Sequence, residues 1–194
     1  MSNLRKIVFD IETSNLFSEV GSNDPADLSI SVVSIYDYER DAYDSFFEDE
    51  LGKLWPILEK TDLLIGFNSD HFDVPLLNKY YSGDLTKIKS LDILNEIRRS
   101  YGRRMKLDQV AAGTLGENKL MDGLEATRLW RKGEKDKVVE YCLHDVEITK
   151  KVYDFALKNG HLNFKEDGKI IKIPLDTEHW EMQEKGALTH TLPF

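Results

Sequence analysis

Residues 4–13 alternate in the manner of a strand: Ile7, Phe9 and Ile11 fall on one face, and Val8, Asp10 and Glu12 on the other. Residues 28–38 ("LSISVVSIYDY") are β-branched and aromatic and read as a second strand. Residues 43–48 ("YDSFFE") read as a third, and the polar link at 37–42 predicts a hairpin between them. Residues 50–60 read as a short helix that Pro56 interrupts. The apolar run at 62–68 ("DLLIGFN") predicts a buried strand. A helix over 74–81, with Pro75 in its first turn, follows. A strand over 88–93 then runs into a helix through Tyr101.

The second half is helical at 107–115, 123–130 and 135–157. The last is the clearest, because Val138, Cys142, Val146, Val152 and Ala156 recur at helical spacing and Asn159-Gly160 supplies a stop. "LNFKEDGKIIKIPL" predicts a β-hairpin with Asp167-Gly168 at its turn. From about Thr177 onward there is no pattern. Three early strands followed by alternating strands and helices predict an α/β fold, a mixed sheet flanked by helices. With no repeat and no linker, residues 1–160 are expected to form the main domain. Residues 161–194, hairpin and tail, belong to the same domain.

Composition narrows the possibilities. Apolar residues make up 41% of the 194, enough for a substantial core, and 31% are charged. No apolar run approaches the roughly 20 residues that span a bilayer, so no membrane partner is expected. Cys142 is the single cysteine, which excludes an internal disulfide. That fact and an N-terminus without a signal-peptide pattern lead us to expect a cytoplasmic protein. The net charge of −9 argues against a protein that merely coats nucleic acid. Acids gathered to hold metal ions inflate that count.

Three segments carry acids in unusual company. Asp10 and Glu12 would stand side by side next to apolar surface, where like charges repel and desolvation adds to the cost. "GFNSDHFDVPLL" (66–77) follows a strand, where loops of α/β folds build sites, and offers Asn68, Asp70, His71 and Asp73. In "YCLHDVEIT" (141–149), Tyr141 and Asp145 share a helical face. Gathering Asp10, Glu12, Asp73 and Asp145 makes a four-carboxylate cluster that needs cations, and hard oxygen ligands suit Mg²⁺ or Mn²⁺. Two such ions, roughly 3.5–4 Å apart, form a clamp for displacement at phosphorus.

Each segment taken alone also has a plain structural reading. Asp10 and Glu12 could face solvent, and Asp73 could cap the following helix. Asn68 and Asp70 could be turn residues. Tyr141 and Phe72 could be core, and His71 and His144 surface groups. The basic tract "RRSYGRRMK" (98–106), which contains Arg103 and Arg104, fits a phosphate backbone or a solvated helix end.

The ordered set Asp10-x-Glu12, Asn68-x-x-x-Phe72-Asp73 and Tyr141-x-x-x-Asp145 resembles the three exonuclease motifs of the DEDD superfamily. These are 3′–5′ exonucleases of ribonuclease-H-like fold, related to polymerase proofreading domains. The resemblance spans about residues 6–157, and "LDQVAAGTLGENK" (107–119) looks like the family's helical segment between the second and third motifs. Tyr141, four residues before Asp145, resembles the tyrosine branch; His144 does not fit the histidine branch.

The resemblance implies a five-stranded sheet of order 3-2-1-4-5 and two divalent ions, Mg²⁺ or Mn²⁺. Asp10, Glu12 and Asp145 would hold one ion, Asp10 would bridge to the other, and Asp73 would support that second ion. Tyr141 would orient the attacking water. The implied partner is a single-stranded DNA or RNA 3′ end, and the product a nucleoside 5′-monophosphate. Thr13, Asn68, Phe72, Arg103, Arg104 and Lys119 are candidates for contacting substrate. The rival from another class is a nucleic-acid-binding module that keeps the fold without hydrolysis. A glycosidase-like carboxylate pair would have no need of Tyr141 and Asp145.

Overall fold

A computed structural model describes residues 4–117 and 123–182. Five strands form one sheet: β1 (Lys6–Thr13), β2 (Ile30–Asp37), β3 (Ala42–Phe47), β4 (Leu63–Gly66) and β5 (Lys89–Asp92). Their order is β3-β2-β1-β4-β5. β2 is antiparallel to β1 and to β3, whereas β4 is parallel to β1 and to β5. This is the order and mixed polarity expected of a ribonuclease-H-like sheet. The helices are α1 (Phe17–Val20), α2 (Trp55–Leu58), α3 (Asp73–Asn78), α4 (Ile93–Tyr101), α5 (Leu107–Thr114), α6 (Gly123–Arg131) and α7 (Lys135–Asn159). A separate hairpin, β6 (His161–Glu166) and β7 (Lys169–Pro174), follows α7.

The alternation in β1 decides which layer lies where. Ile7, Phe9 and Ile11 pack with Leu28, Ile35, Leu54, Leu58 and Leu76 on the face covered by α2 and α3. Val8 packs with Ile65, Leu91, Val146 and Val152 on the face covered by α4, α5 and α7. Each such side chain contributes about 1.5–3 kcal/mol when fully buried. Beyond Val8 the second face turns from apolar to acidic, so Asp10 and Glu12 emerge beneath α7. α7 answers with Tyr141, Cys142 and Asp145, all buried on its inner side.

Several short elements differ from the sequence pattern. The helix expected over 50–60 is divided into a 3₁₀ turn (Glu48–Lys53) and α2, with Pro56 in the first turn of α2, where its missing N–H leaves nothing unpaired. α1 has only four residues, too few for periodicity to register. The hairpin turn has positive φ at both Asp167 and Gly168, as an Asp-Gly turn requires. On its inner side β6 lies against α5, where the Thr114 hydroxyl donates to the Asn163 carbonyl (2.7 Å) and accepts from its N–H (2.9 Å).

The patternless stretch after Thr177 is anchored by single side chains. The Trp180 ring is fully buried, stacked on Tyr153 at 5.7 Å and 13°, and its indole N–H donates to Glu96 (3.1 Å). The Glu181 carboxylate accepts from Lys6 (2.6 Å) and from the Tyr153 hydroxyl (2.7 Å). Among the described residues no helix is long and apolar enough to cross a membrane.

Candidate metal centre

β1 runs on past its last β4 partner, Val8, while β4 ends at Gly66 and the chain turns away. The gap left between them is where Asp10 and Glu12 project. The turn out of β4 is tight: a Cβ on Gly66 would lie 2.4 Å from the Ser69 Cβ, so any larger residue would displace the loop. Asn68 holds a left-handed conformation (φ 65°), which Asn tolerates better than most residues. Asp92 secures this loop. Its carboxylate accepts from the Asn68 N–H (2.8 Å) and the Asp70 N–H (3.2 Å) and also caps α4 through Leu94 (2.9 Å). Burial pushes the Asp92 carboxyl above its usual range, against the pull of those N–H donors.

One carboxylate oxygen from each of Asp10, Glu12 and Asp145 lies within 4.8 Å of the others. Glu12 and Asp145 are buried, and Asp10 is partly exposed. Asp73 lines the same cavity, of about 390 Å³, together with Tyr141, Thr13, Asn68 and Phe72. Among its described lining residues there is no lysine or arginine. Four carboxylates line one cavity, three of them converging, and such a set of hard oxygen donors suits a divalent cation. A hard divalent cation binds carboxylate oxygens at about 2.0–2.1 Å for Mg²⁺, so closing a 4.8 Å spread onto one ion takes sub-ångström movement. The residues present fit such an ion.

The electrostatics agree. Asp73 is driven well above the ordinary carboxyl range, first by burial and then by the neighbouring charges of Asp10 and Asp92. Tyr141 is raised far above the usual phenol value by burial and by Asp145, Glu12 and Asp10, and its hydroxyl donates to Asp145. Cys142, directly beneath, has its sulfur 3.3 Å from the Asp10 carbonyl oxygen, and burial followed by the Asp10 and Glu12 charges pushes its thiol up.

The remaining candidates separate. Thr13 donates its hydroxyl to the Asn15 carbonyl (2.9 Å), while its own carbonyl accepts from Thr127 (3.2 Å). Phe72 meets Phe17 edge-on at 6.2 Å on the apolar side of the cavity. Phe72 also occupies the N-cap position of α3, so Asp73 is the first residue inside the helix rather than its cap. A second cavity, of about 600 Å³, shares Asp10, Asn68 and Asp145 with the first and adds Arg104, Lys106 and Gln109. Arg104 reaches Asn68 Oδ1 at 2.6 Å. Arg103 is not brought to either cavity, because its guanidinium pairs with Glu166 on the hairpin. Lys119 lies outside the described residues.

Sequence reasoning missed Asp92, although "SLDILNEI" carries an Asp just before an apolar helical run, the usual mark of an N-cap. It also missed Phe17 and Thr127 as cavity walls, for which no local signal exists.

The mixed sheet and the carboxylates at the end of its central strand define a ribonuclease-H-like protein with a centre able to hold a divalent cation. A family model of the RNase_H superfamily matches residues 7–157, and the chain belongs to that superfamily. No curated protein matches the sequence. Among solved structures, the family B DNA polymerase from the hyperthermophilic archaeon Pyrobaculum calidifontis is similar in fold. Its TM-score is 0.61 at 19% identity, over 79% of this chain and 24% of the polymerase. The chain thus spans about a quarter of that protein's length, and the likeness is one of fold.

Proposed function

We propose that the chain is a 3′–5′ exonuclease of the tyrosine-branch DEDD type. It would act on single-stranded DNA or RNA with two Mg²⁺ or Mn²⁺ ions. The observation that carries this reading is the convergence of Asp10, Glu12 and Asp145, with Asp73 in the same cavity and Tyr141 bonded to Asp145. Likeness in fold to a DNA polymerase supports a nucleic-acid substrate.

Bound divalent ions supply a water that ionises near neutral pH and positive charge for the leaving oxygen. Asp10, Glu12 and Asp145 would hold one ion, and Asp10 and Asp73 would serve a second. The Tyr141 hydroxyl, which donates to Asp145, would orient the attacking water by hydrogen bonding. The cavity of about 390 Å³ lies at the small end of ligand pockets, roughly 300–1,000 Å³. It suits one nucleoside monophosphate against Phe72 and Phe17, which favours a single, splayed terminal nucleotide over a stacked duplex end.

The test is degradation of single-stranded oligonucleotides labelled at the 5′ end, with Mg²⁺ or Mn²⁺ and with EDTA. A ladder shortening from the 3′ end that EDTA abolishes, and that Asp10→Ala reduces by at least about 10³-fold, is the expected result. Binding without hydrolysis under every metal condition would favour a non-catalytic module.

A further inference from the structure

The hairpin of β6 and β7 is a two-stranded sheet separate from the five-stranded one, and it grips the segment that walls the second cavity. Three contacts make the grip. The Arg103 guanidinium forms a two-pronged pair with Glu166, one arm at 3.1 Å, and lies over the Phe164 ring at 5.5 Å. The Tyr101 ring meets Phe164 edge-on at 5.4 Å. In α5, Gly113 touches the Phe164 backbone so closely that a Cβ there would sit 2.4 Å from the Phe164 carbonyl carbon. The hairpin therefore holds residues 101–114 at both ends.

Between those anchors the chain turns toward the acids. Arg103 faces the hairpin, whereas Arg104 crosses to Asn68 and, with exposed Lys106, lines the cavity that opens on Asp10 and Asp145. Residues 98–106 hold five basic and no acidic side chains in a protein of net charge −9. The two cavities that meet at Asp10 and Asp145 thus differ: the lining of one, among the described residues, holds no lysine or arginine, and the other carries Arg104 and Lys106 beside Asp108. A terminal nucleoside suits the first, and the phosphates of the strand behind it suit the second.

We propose that the C-terminal hairpin is a positioning element for substrate: by holding Arg103 through Glu166 it fixes Arg104 and Lys106 against the phosphates of the strand running 5′ from the scissile bond. This rests on the exonuclease reading. Arg103, Glu166 and Gly113 touch no substrate and act through the segment they hold.

The experiment uses the full chain carrying Glu166→Arg, Arg103→Glu or both. It reads two quantities with a short single-stranded deoxyoligonucleotide: KM and kcat in Mn²⁺, and Kd by fluorescence anisotropy in EDTA. Each single change places like charges at the anchor and should raise KM and Kd about fivefold, the scale of one exposed ion pair, with kcat within twofold. The double swap restores the pair and should return both to the parental values. Unchanged Kd in both single variants, a fall in kcat that matches the rise in KM, or no rescue by the swap would overturn the proposal. If the parental chain binds the oligonucleotide but never cleaves it, the exonuclease reading fails. The anisotropy series then decides on the hairpin by itself.

Discussion

At the residue scale, Asp73 is the sharpest case of a group whose environment opposes its charge. Its carboxyl is held above the ordinary range in the folded chain, so folding favours the protonated form. The stability it contributes is complete below its unfolded pKa, near 3.9, and is lost as pH rises through the folded value. In metal-free protein, Asp73→Asn should therefore raise Tm at neutral pH by roughly 2–4 °C, the shift that about 1 kcal/mol produces in a chain of this size. That gain should shrink toward pH 4, and thermal melts of both proteins across pH check it. A variant that melts no higher than the parent at neutral pH would show that Asp73 carries no such penalty. That Asp10, Glu12, Asp73, Tyr141 and Asp145 meet at one cavity could be anticipated, because acids among apolar residues are costly without a purpose and because their order resembles the family's motifs. The part played by Asp92 could not, because a capping aspartate has the same local signature whether it secures a helix or, as here, a site loop as well.

Among the elements, legibility followed pattern more than length, since β4 and β5 have only four residues each and were still readable. β1, the β2–β3 hairpin, α7 and the β6–β7 hairpin show periodicity or turn chemistry over enough residues to be read. α1 and the 3₁₀ turns have three to six residues and leave no such trace. The segment after β7 was unreadable for another reason: it is held by isolated contacts, the Trp180 indole, the Glu181 carboxylate and the Lys89 ammonium on the His179 and Met182 carbonyls, and isolated anchors have no period. Its weight can be measured. Trp180→Ala removes a fully buried ring and its bond to Glu96, and should destabilise the fold by about 3–5 kcal/mol. Trp180 lines neither cavity at the acids, so activity well below the lowered Tm should persist. Denaturant melts with parallel activity assays at low temperature check both parts. A loss under about 1 kcal/mol would show that the segment is not an integral part of the fold.

For the whole molecule, charge balance ties stability to metal. A chain of net charge −9 that gathers acids in one cavity should gain stability from any divalent ion that binds only the folded state. Mn²⁺ at 100 times its Kd should contribute about 2.7 kcal/mol, a rise in Tm of several degrees. Asp10→Asn should lose most of that rise, and an equal rise in the variant would place the ion elsewhere. The sheet order could be anticipated because hairpin and crossover signals in the sequence, read with the family resemblance, leave few ways to arrange five strands. The division of the centre into two cavities, only one of which has Arg104 and Lys106 in its described lining, could not. It depends on α1, α5 and α6 meeting loops distant in sequence.

The Lys6–Glu181 bridge brings the first and last described parts of the chain together, and Leu4 and Met182 share one surface depression. Both lie at the start of β1, whereas the carboxylates occupy its far end. A tether joined directly at Leu4 or Met182 would thus leave the molecule on the side away from the carboxylate cavities, so an immobilised copy should keep those cavities open to solution.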